Sequence, residues 1–424
     1  MSVKKSKTLK KYALDSSAVF YPYFTTRKTQ SMFCVGAVLR DEIDKELLRK
    51  ALNDAVNRFP LYKTKLRRGY GAYYLKENDA PVELFDLNGK VLVPIDPKTT
   101  NGYQFRVACE GNRVMMEIFH ALTDANGAVK FLAAILRRYR ELQGIEFPDG
   151  SSAYKWDATV PDGELEDGFK RYYKPIPFSA LNLKGMAGGV PHRTRGTLLK
   201  DGYILDEGAI DSAQMLAEAK KFGVSATSYI AGVAAYGIIR SAEVRRPIVI
   251  MVPVNLRRIF PSETLSNFVT FVRLIVDKNE CDTLEKCVRS CAEQLAHKAS
   301  KEKMEAFVST TVRAQKNIIF RCVPLGLKWI FIRLGRLFMK SRQTIIVSNL
   351  GNVQLPQELG VECLTLNLNV SKNNVQNLGT VSYDGVCRLT FTSAIRELKL
   401  PSAVFNTLEK QGIKVNKTAV ICKK

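Results

Sequence analysis

Apolar positions along this chain follow two periods, one of strands and one of helices. Met32 to Leu39 (MFCVGAVL) is an apolar run of strand length and predicts a buried strand. Between Asp41 and Arg58, Ile43, Leu47, Leu48, Ala51 and Val56 recur near helical spacing behind an acidic first turn, and Phe59-Pro60 stops the helix. Strands are predicted around Tyr73–Leu75, Gln104–Cys109 and Arg113–Phe119, followed by a helix from Asn126 to Leu142 that Gly144 closes. Ser151–Gly196 is rich in Gly, Pro, Asp and Lys, has little periodicity, and reads as a crossover. The same grammar then resumes. A strand at Gly202–Leu205 precedes helices at Ile210–Phe222 and Ser228–Ser241, the second capped by Ser225 or Thr227. Strands follow at Pro247–Val254, Phe268–Val276, Gln343–Val347, Leu364–Val370, Gly379–Ser382 and Val386–Thr392, and Leu400–Gly412 is a closing helix. The pattern predicts a mixed α/β (α+β) protein of two comparable halves, residues 1–175 and 201–424, joined by a linker at 176–200.

Composition narrows the picture. The chain has 424 residues, 46% hydrophobic and 25% charged, which is globular and long enough to bury large cores without disulfides or metal. Its formal charge of +23 favours anionic partners: nucleic acid, an acidic membrane surface or a phosphorylated small molecule. No nucleic-acid motif accompanies that charge, and aromatic residues do not interleave with the basic run, so no nucleic-acid partner is expected. The start, MSVKKSKTLKKY, lacks the apolar run of a secretory signal and reads as a solvated basic arm. Nine cysteines without CxxC spacing point to reduced thiols and a cytoplasmic setting, with Cys287 and Cys291 as packing residues on a helix. With only His120, His192 and His297 present, no metal site is expected; His192 reads as exposed in the linker and His297 as a surface residue.

One segment joins histidine, carboxylate and position: Glu117-Ile-Phe-His120-Ala-Leu-Thr-Asp124-Ala-Asn-Gly127. His120 stands where an apolar strand ends, a place that projects into a cleft, and neutral imidazole is a versatile general base. The spacing also fits a plainer reading, in which Asp124 merely caps the next helix and His120 is an ordinary loop histidine.

The segment resembles the HHxxxDG motif of the chloramphenicol acetyltransferase-like superfamily, which includes alcohol O-acetyltransferases, plant acyltransferases, wax ester synthases and condensation domains. Further pieces fall in the matching order: Phe59-Pro60-Leu61, Val252-Pro253-Val254-Asn255-Leu256-Arg257, Phe260-Pro261, Ser266-Asn267-Phe268-Val269 and Ser348-Asn349-Leu350-Gly351. The pattern looks most like the bacterial alcohol acetyltransferase branch; a DFGWG-type motif, the mark of the plant branch, is missing. Phe119 replaces the motif's first histidine, and Ala125 its glycine, where a positive φ would strain alanine.

The resemblance implies two subdomains with an active site in a tunnel between them. His120 is then the general base that deprotonates an acceptor hydroxyl attacking an acyl thioester, without a covalent intermediate. It implies a structural role for Asp124, paired bidentately with Arg257 of the other half, and places Gly127, Asn267, Ser348 and Asn349 along the substrate or donor tunnel. Acyl-CoA, with acetyl the leading acyl group, is implied as co-substrate of a small or lipophilic alcohol, and no permanently bound cofactor is expected. A condensation-type or lipid acyltransferase with a carrier-bound donor, and a non-catalytic scaffold of the same fold, are the alternatives.

A last segment stands apart. No acidic residue lies between Glu305 and Glu358, while Arg313, Lys316, Arg321, Lys328, Arg333, Arg336, Lys340 and Arg342 do. Cys322–Met339 is the longest apolar stretch, but Lys328, Arg333 and Arg336 interrupt it, so no transmembrane helix is predicted. From Lys328 onward the basic residues share one helical face and Ile330, Phe331, Leu334, Leu337 and Phe338 the other. Such a helix either faces the core with a solvated basic side, the favoured reading, or makes peripheral membrane contact through 322–342.

Overall fold

A computed structural model describes residues 9–25, 30–148, 155–175, 190–200, 202–316, 323–338 and 343–422. The strands form two main mixed sheets, as the apolar pattern predicts. The first runs in the order Val361–Leu368, Met32–Leu39, Arg113–Phe119, Phe105–Glu110, Leu84–Asp86. The second runs Val269–Val276, Ile248–Asn255, Ile345–Asn352, Gln376–Tyr383, Val386–Ser393, Tyr203–Asp211, Asn416–Cys422. A small third sheet joins Lys11–Ala13, Tyr73–Glu77 and Thr64–Arg68. Each main sheet has its own hydrophobic core, so the molecule has two lobes.

Local chemistry sets the helices. Asp44 caps Lys45–Arg58 by accepting from the backbone N–H groups of Glu46 and Leu47, so the helix starts four residues later than its acidic prelude suggests. Ala125–Leu142 is capped by Asp124 and presents Phe131, Leu132, Ile135 and Leu136 to the first core. Ser225, rather than Thr227, caps Ala226–Ser241. The expected start of a helix at Ile210 is corrected: the strand Tyr203–Asp211 holds its pairing with Val386–Ser393 to its last residue, and the helix is Ser212–Lys221. Cys287 and Cys291 are buried in the second core, as packing residues should be.

Three features depart from the linear reading. First, Val361–Leu368, deep in the second half of the chain, completes the sheet of the first half, paired from Val361 opposite Leu39 to Leu368 opposite Phe33 with one register shift between Val361 and Cys363. Residues 1–175 and 201–424 therefore do not map one to one onto the lobes; an apolar strand carries no mark of the sheet it will join. Second, His192 is buried, not exposed. Residues 176–189 of the linker lie outside the described residues, but His192 donates its N–H to the Pro247 carbonyl at 2.8 Å, and its own carbonyl accepts from Thr344 Oγ1 at 2.8 Å. His297 is exposed as expected, beside Lys303. Third, Lys328 does not belong to a solvated basic face: it is buried and its Nζ donates to the Gly71 carbonyl.

The second sheet splits where the site will lie. Ile248–Asn255 and Ile345–Asn352 are bridged only at Ile250–Ile345 and Met251–Ile346, and then diverge. Pro253 stands just past that point, and a proline leaves no N–H orphaned at an opened edge. Among the described residues, no single helix is long and apolar enough to cross a membrane.

Candidate active site

His120 follows the last residue of the strand Arg113–Phe119, and its backbone N–H donates to the Ser31 carbonyl at 2.8 Å. Its ring is sandwiched. Tyr21 stacks on it with centroids 4.7 Å apart and planes 15° apart, and Phe33 meets it edge-on at 5.0 Å. Nδ1 lies 2.8 Å from Asn267 Oδ1. The Asn267 amide cannot turn over, because its Nδ2 donates to Asp15 Oδ2 and to the His120 carbonyl, both at 3.0 Å. The network therefore assigns the imidazole proton to Nδ1 and leaves Nε2 a bare lone pair. Burial holds the His120 pKa below the ordinary histidine value, partly opposed by the Asn267 hydrogen bond and the charge of Asp124. The resting state is neutral imidazole, which is the form a base needs.

Asp15 backs this arrangement. It is buried, and neutral donors surround it: Asn267 N–H at 3.1 Å, Ser17 N–H at 2.9 Å, Ser17 Oγ at 2.8 Å and Ala18 N–H at 2.8 Å. Desolvation outweighs those bonds and pushes its pKa up to about 6.

Asp124 is both a helix cap and an ion-pair partner. One oxygen accepts from Asn126 N–H and Gly127 N–H at 3.1 and 3.2 Å; the other accepts from Arg257 Nη1 at 2.7 Å and Phe268 N–H at 2.9 Å. The expected bidentate pairing is thus corrected to a single-oxygen contact, because capping occupies the second oxygen. Arg257 also donates to Asn255 Oδ1 and, through Nε and Nη2, to the carbonyls of Thr264 and Ser266, which pins the 264–268 loop, and with it Asn267, against His120. Gly127 shows why this seam needs a glycine: a Cβ there would stand 2.2 Å from Thr123 Oγ1 and 2.5 Å from the Leu265 carbonyl. Ala125 carries no positive φ; it is the first residue of the helix, so the motif's missing glycine costs no strain.

A cavity of about 540 Å³ opens beside His120, in the split of the second sheet. Its walls come from both halves of the chain: Tyr21, Ser31 and Phe33 on one side, Val252–Asn255, Ser348 and Asn349 on the other. It is lined mainly by apolar side chains and neutral polar ones, and Arg258 stands at its solvent-exposed rim.

No protein-family profile matches the sequence, and no curated protein matches it by sequence. Solved structures do match in three dimensions. The epimerization domain from the third module of tyrocidine synthetase B superposes with a TM-score of 0.60 at 13% identity, covering 95% of each chain. A trichothecene 15-O-acetyltransferase from Fusarium sporotrichioides gives 0.59 at 10% identity, covering 97% of this chain and 96% of its own. A cyclization-docking bidomain from Sorangium cellulosum gives 0.61 at 12% identity, covering 94% and 83%. The chain has the two-lobed chloramphenicol acetyltransferase-like condensation fold.

Within this condensation fold the residues singled out from sequence fall into two groups. His120, Ser348 and Asn349 line the cavity; Gly127 and Asn267 are not among its lining residues and stand behind its wall. Asn349 is committed to the interior, since its amide bonds Thr227 Oγ1, Gly351 N–H and Thr380 Oγ1 at 3.1, 2.9 and 3.0 Å. Tyr21 and Asp15 escaped the sequence reading. Asp15-Ser-Ser-Ala is an Asx-type turn that could have flagged Asp15 as a local cap, but nothing in the linear pattern ties it to residue 267.

Proposed function

We propose that the protein is an acyltransferase that moves an acyl group, acetyl first among the candidates, from acyl-CoA to an alcohol hydroxyl. The observation that carries this reading is the tautomer lock at His120: Nδ1–H is held by Asn267 Oδ1 while the imidazole borders the cavity. His120 Nε2 takes the proton of the acceptor O–H as its oxygen attacks the thioester carbonyl. The resulting tetrahedral oxyanion collapses, the C–S bond breaks, and the imidazolium returns its proton to the leaving thiolate, giving an ester and a free thiol. The Ser348 hydroxyl is the cavity-lining donor suited to the oxyanion, since the Asn349 amide is already engaged. An apolar, two-sided cavity limits competing hydrolysis by water. Asp124 and Arg257 act through position alone, by holding the catalytic loop and the 264–268 loop together.

A carrier-bound donor is the second reading, favoured by the likeness in fold to epimerization and cyclization domains. The test is release of free thiol from acetyl-, octanoyl- and palmitoyl-CoA against pools of alcohols and amines, wild type beside His120→Ala. Release that requires both an acceptor and His120 supports the proposal and names the preferred pair. No release with any CoA donor rejects the CoA reading and moves the trial to phosphopantetheinylated carriers; inactivity there as well leaves a non-catalytic member of the fold.

A further inference from the structure

The first turn of the helix Leu325–Phe338 docks through a charged side chain. Leu325 is buried and donates its N–H to the Tyr70 carbonyl at 2.9 Å, and Lys328, one turn on, is buried with its ammonium on the Gly71 carbonyl. A lysine therefore faces the protein. Leu327 and Ile330 lie opposite that docked side, 49% and 48% exposed. The tip of the Thr64–Glu77 hairpin to which the helix is tied adds Tyr70, 80% exposed, with Arg67 and Arg68 exposed beside it. A helix start that buries a lysine and turns Leu327 and Ile330 outward is unlike that of an ordinary surface helix.

We infer that the hairpin tip and this helix form one docking face for an anionic lipid membrane. Three exposed apolar side chains, Tyr70, Leu327 and Ile330, are of the kind that insert at the headgroup–acyl boundary. Arg67 and Arg68 supply charge complementary to acidic headgroups, and the chain carries no acidic residue between Glu305 and Glu358 to oppose them. The helix also packs beside Tyr21–Phe24, whose Tyr23 meets Tyr73 of the hairpin edge-on at 5.5 Å and whose Tyr21 stacks on His120. Docking thus places the site one short helix from the lipid. If the acyltransferase reading holds, an acceptor dissolved in that lipid is the substrate class this geometry serves; the docking itself does not depend on that reading.

The experiment is flotation of the full-length protein with phosphatidylcholine vesicles and with vesicles containing about one-third phosphatidylglycerol. Strong flotation is expected only with the anionic vesicles, weakening with salt. Leu327→Ser with Ile330→Ser, and separately Arg67→Gln with Arg68→Gln, should each lower partitioning about tenfold while circular dichroism and the melting temperature stay unchanged. Absence of flotation at low salt, or flotation indifferent to both double variants, overturns the proposal. Concentration-dependent self-association that the Leu327/Ile330 change abolishes, without vesicle binding, assigns the face to a second copy instead.

Discussion

His120 and His192 are both withdrawn from bulk water, and desolvation is the main cause that lowers the pKa of each. Their surroundings diverge from there. His120 has one nitrogen fixed by an amide that cannot turn over, while its ring borders a cavity. His192 is tied down through its backbone, and its Nε2 is buried without a hydrogen-bond partner. Low polarity alone makes a histidine neutral; it becomes a usable base only when one nitrogen is locked and the other has room for a reacting proton. The second histidine is a packed residue with an unmet polar atom, which costs stability and serves no transfer.

The sharpest way to break this contrast is His120→Ala. Thiol release should fall by about a thousandfold or more while the protein stays folded, with some loss of melting temperature because the ring stacks on Tyr21 and holds Asn267. Full activity in that variant would remove the general-base assignment. Arg257→Ala comes next and should act on both stability and rate. Removing the guanidinium leaves the buried Asp124 carboxylate without its cation, at a cost of about 3–5 kcal/mol in denaturant unfolding, and it frees the loop that carries Asn267.

Asn267→Ala sharpens the comparison further, because it should make His120 behave more like His192. We expect kcat to fall by about ten- to a hundredfold, as when an outer-shell partner of a histidine is lost. The pH profile separates this from simple damage. In the wild type the active form is neutral imidazole, so the rate should rise with pH and level off below the ordinary histidine value near 6.5. The Asn267 bond favours the charged ring, so its removal should move that acidic limb to still lower pH. A limb that stays in place would argue against the tautomer lock. The smallest effect belongs to His192→Leu: activity should be unaltered, and stability should change by no more than about 1 kcal/mol, in either direction, since an unpartnered buried nitrogen is replaced by packing of similar volume.

Much of the fold was legible because it is written locally. Met32–Leu39 and Arg113–Phe119 are strands with the bounds their apolar runs predict, and Asp124 and Ser225 are caps whose chemistry acts within three residues. Short or polar strands such as Thr64–Arg68 (TKLRR) and Leu84–Asp86 escaped, since their pairing partners rather than their own periodicity make them strands. The same division runs through the site. His120 at a strand end and Asp124 four residues on are a local pattern, and the resemblance to a known motif extended it to Arg257.

By itself, then, the sequence determined most of the longer strands and helices in their order, the two-lobed class, and a histidine at a strand end as the candidate base. Only the tertiary structure decided that Val361–Leu368 would cross to the other lobe, that Asp15 and Asn267 would meet behind His120, that His192 and Lys328 would turn inward, and that Leu327 and Ile330 would face out. The physical reason is the range of the forces concerned. Capping and periodicity bind neighbours a few residues apart, whereas desolvation, tautomer choice and the facing of an exposed helix depend on atoms that only the folded chain brings together.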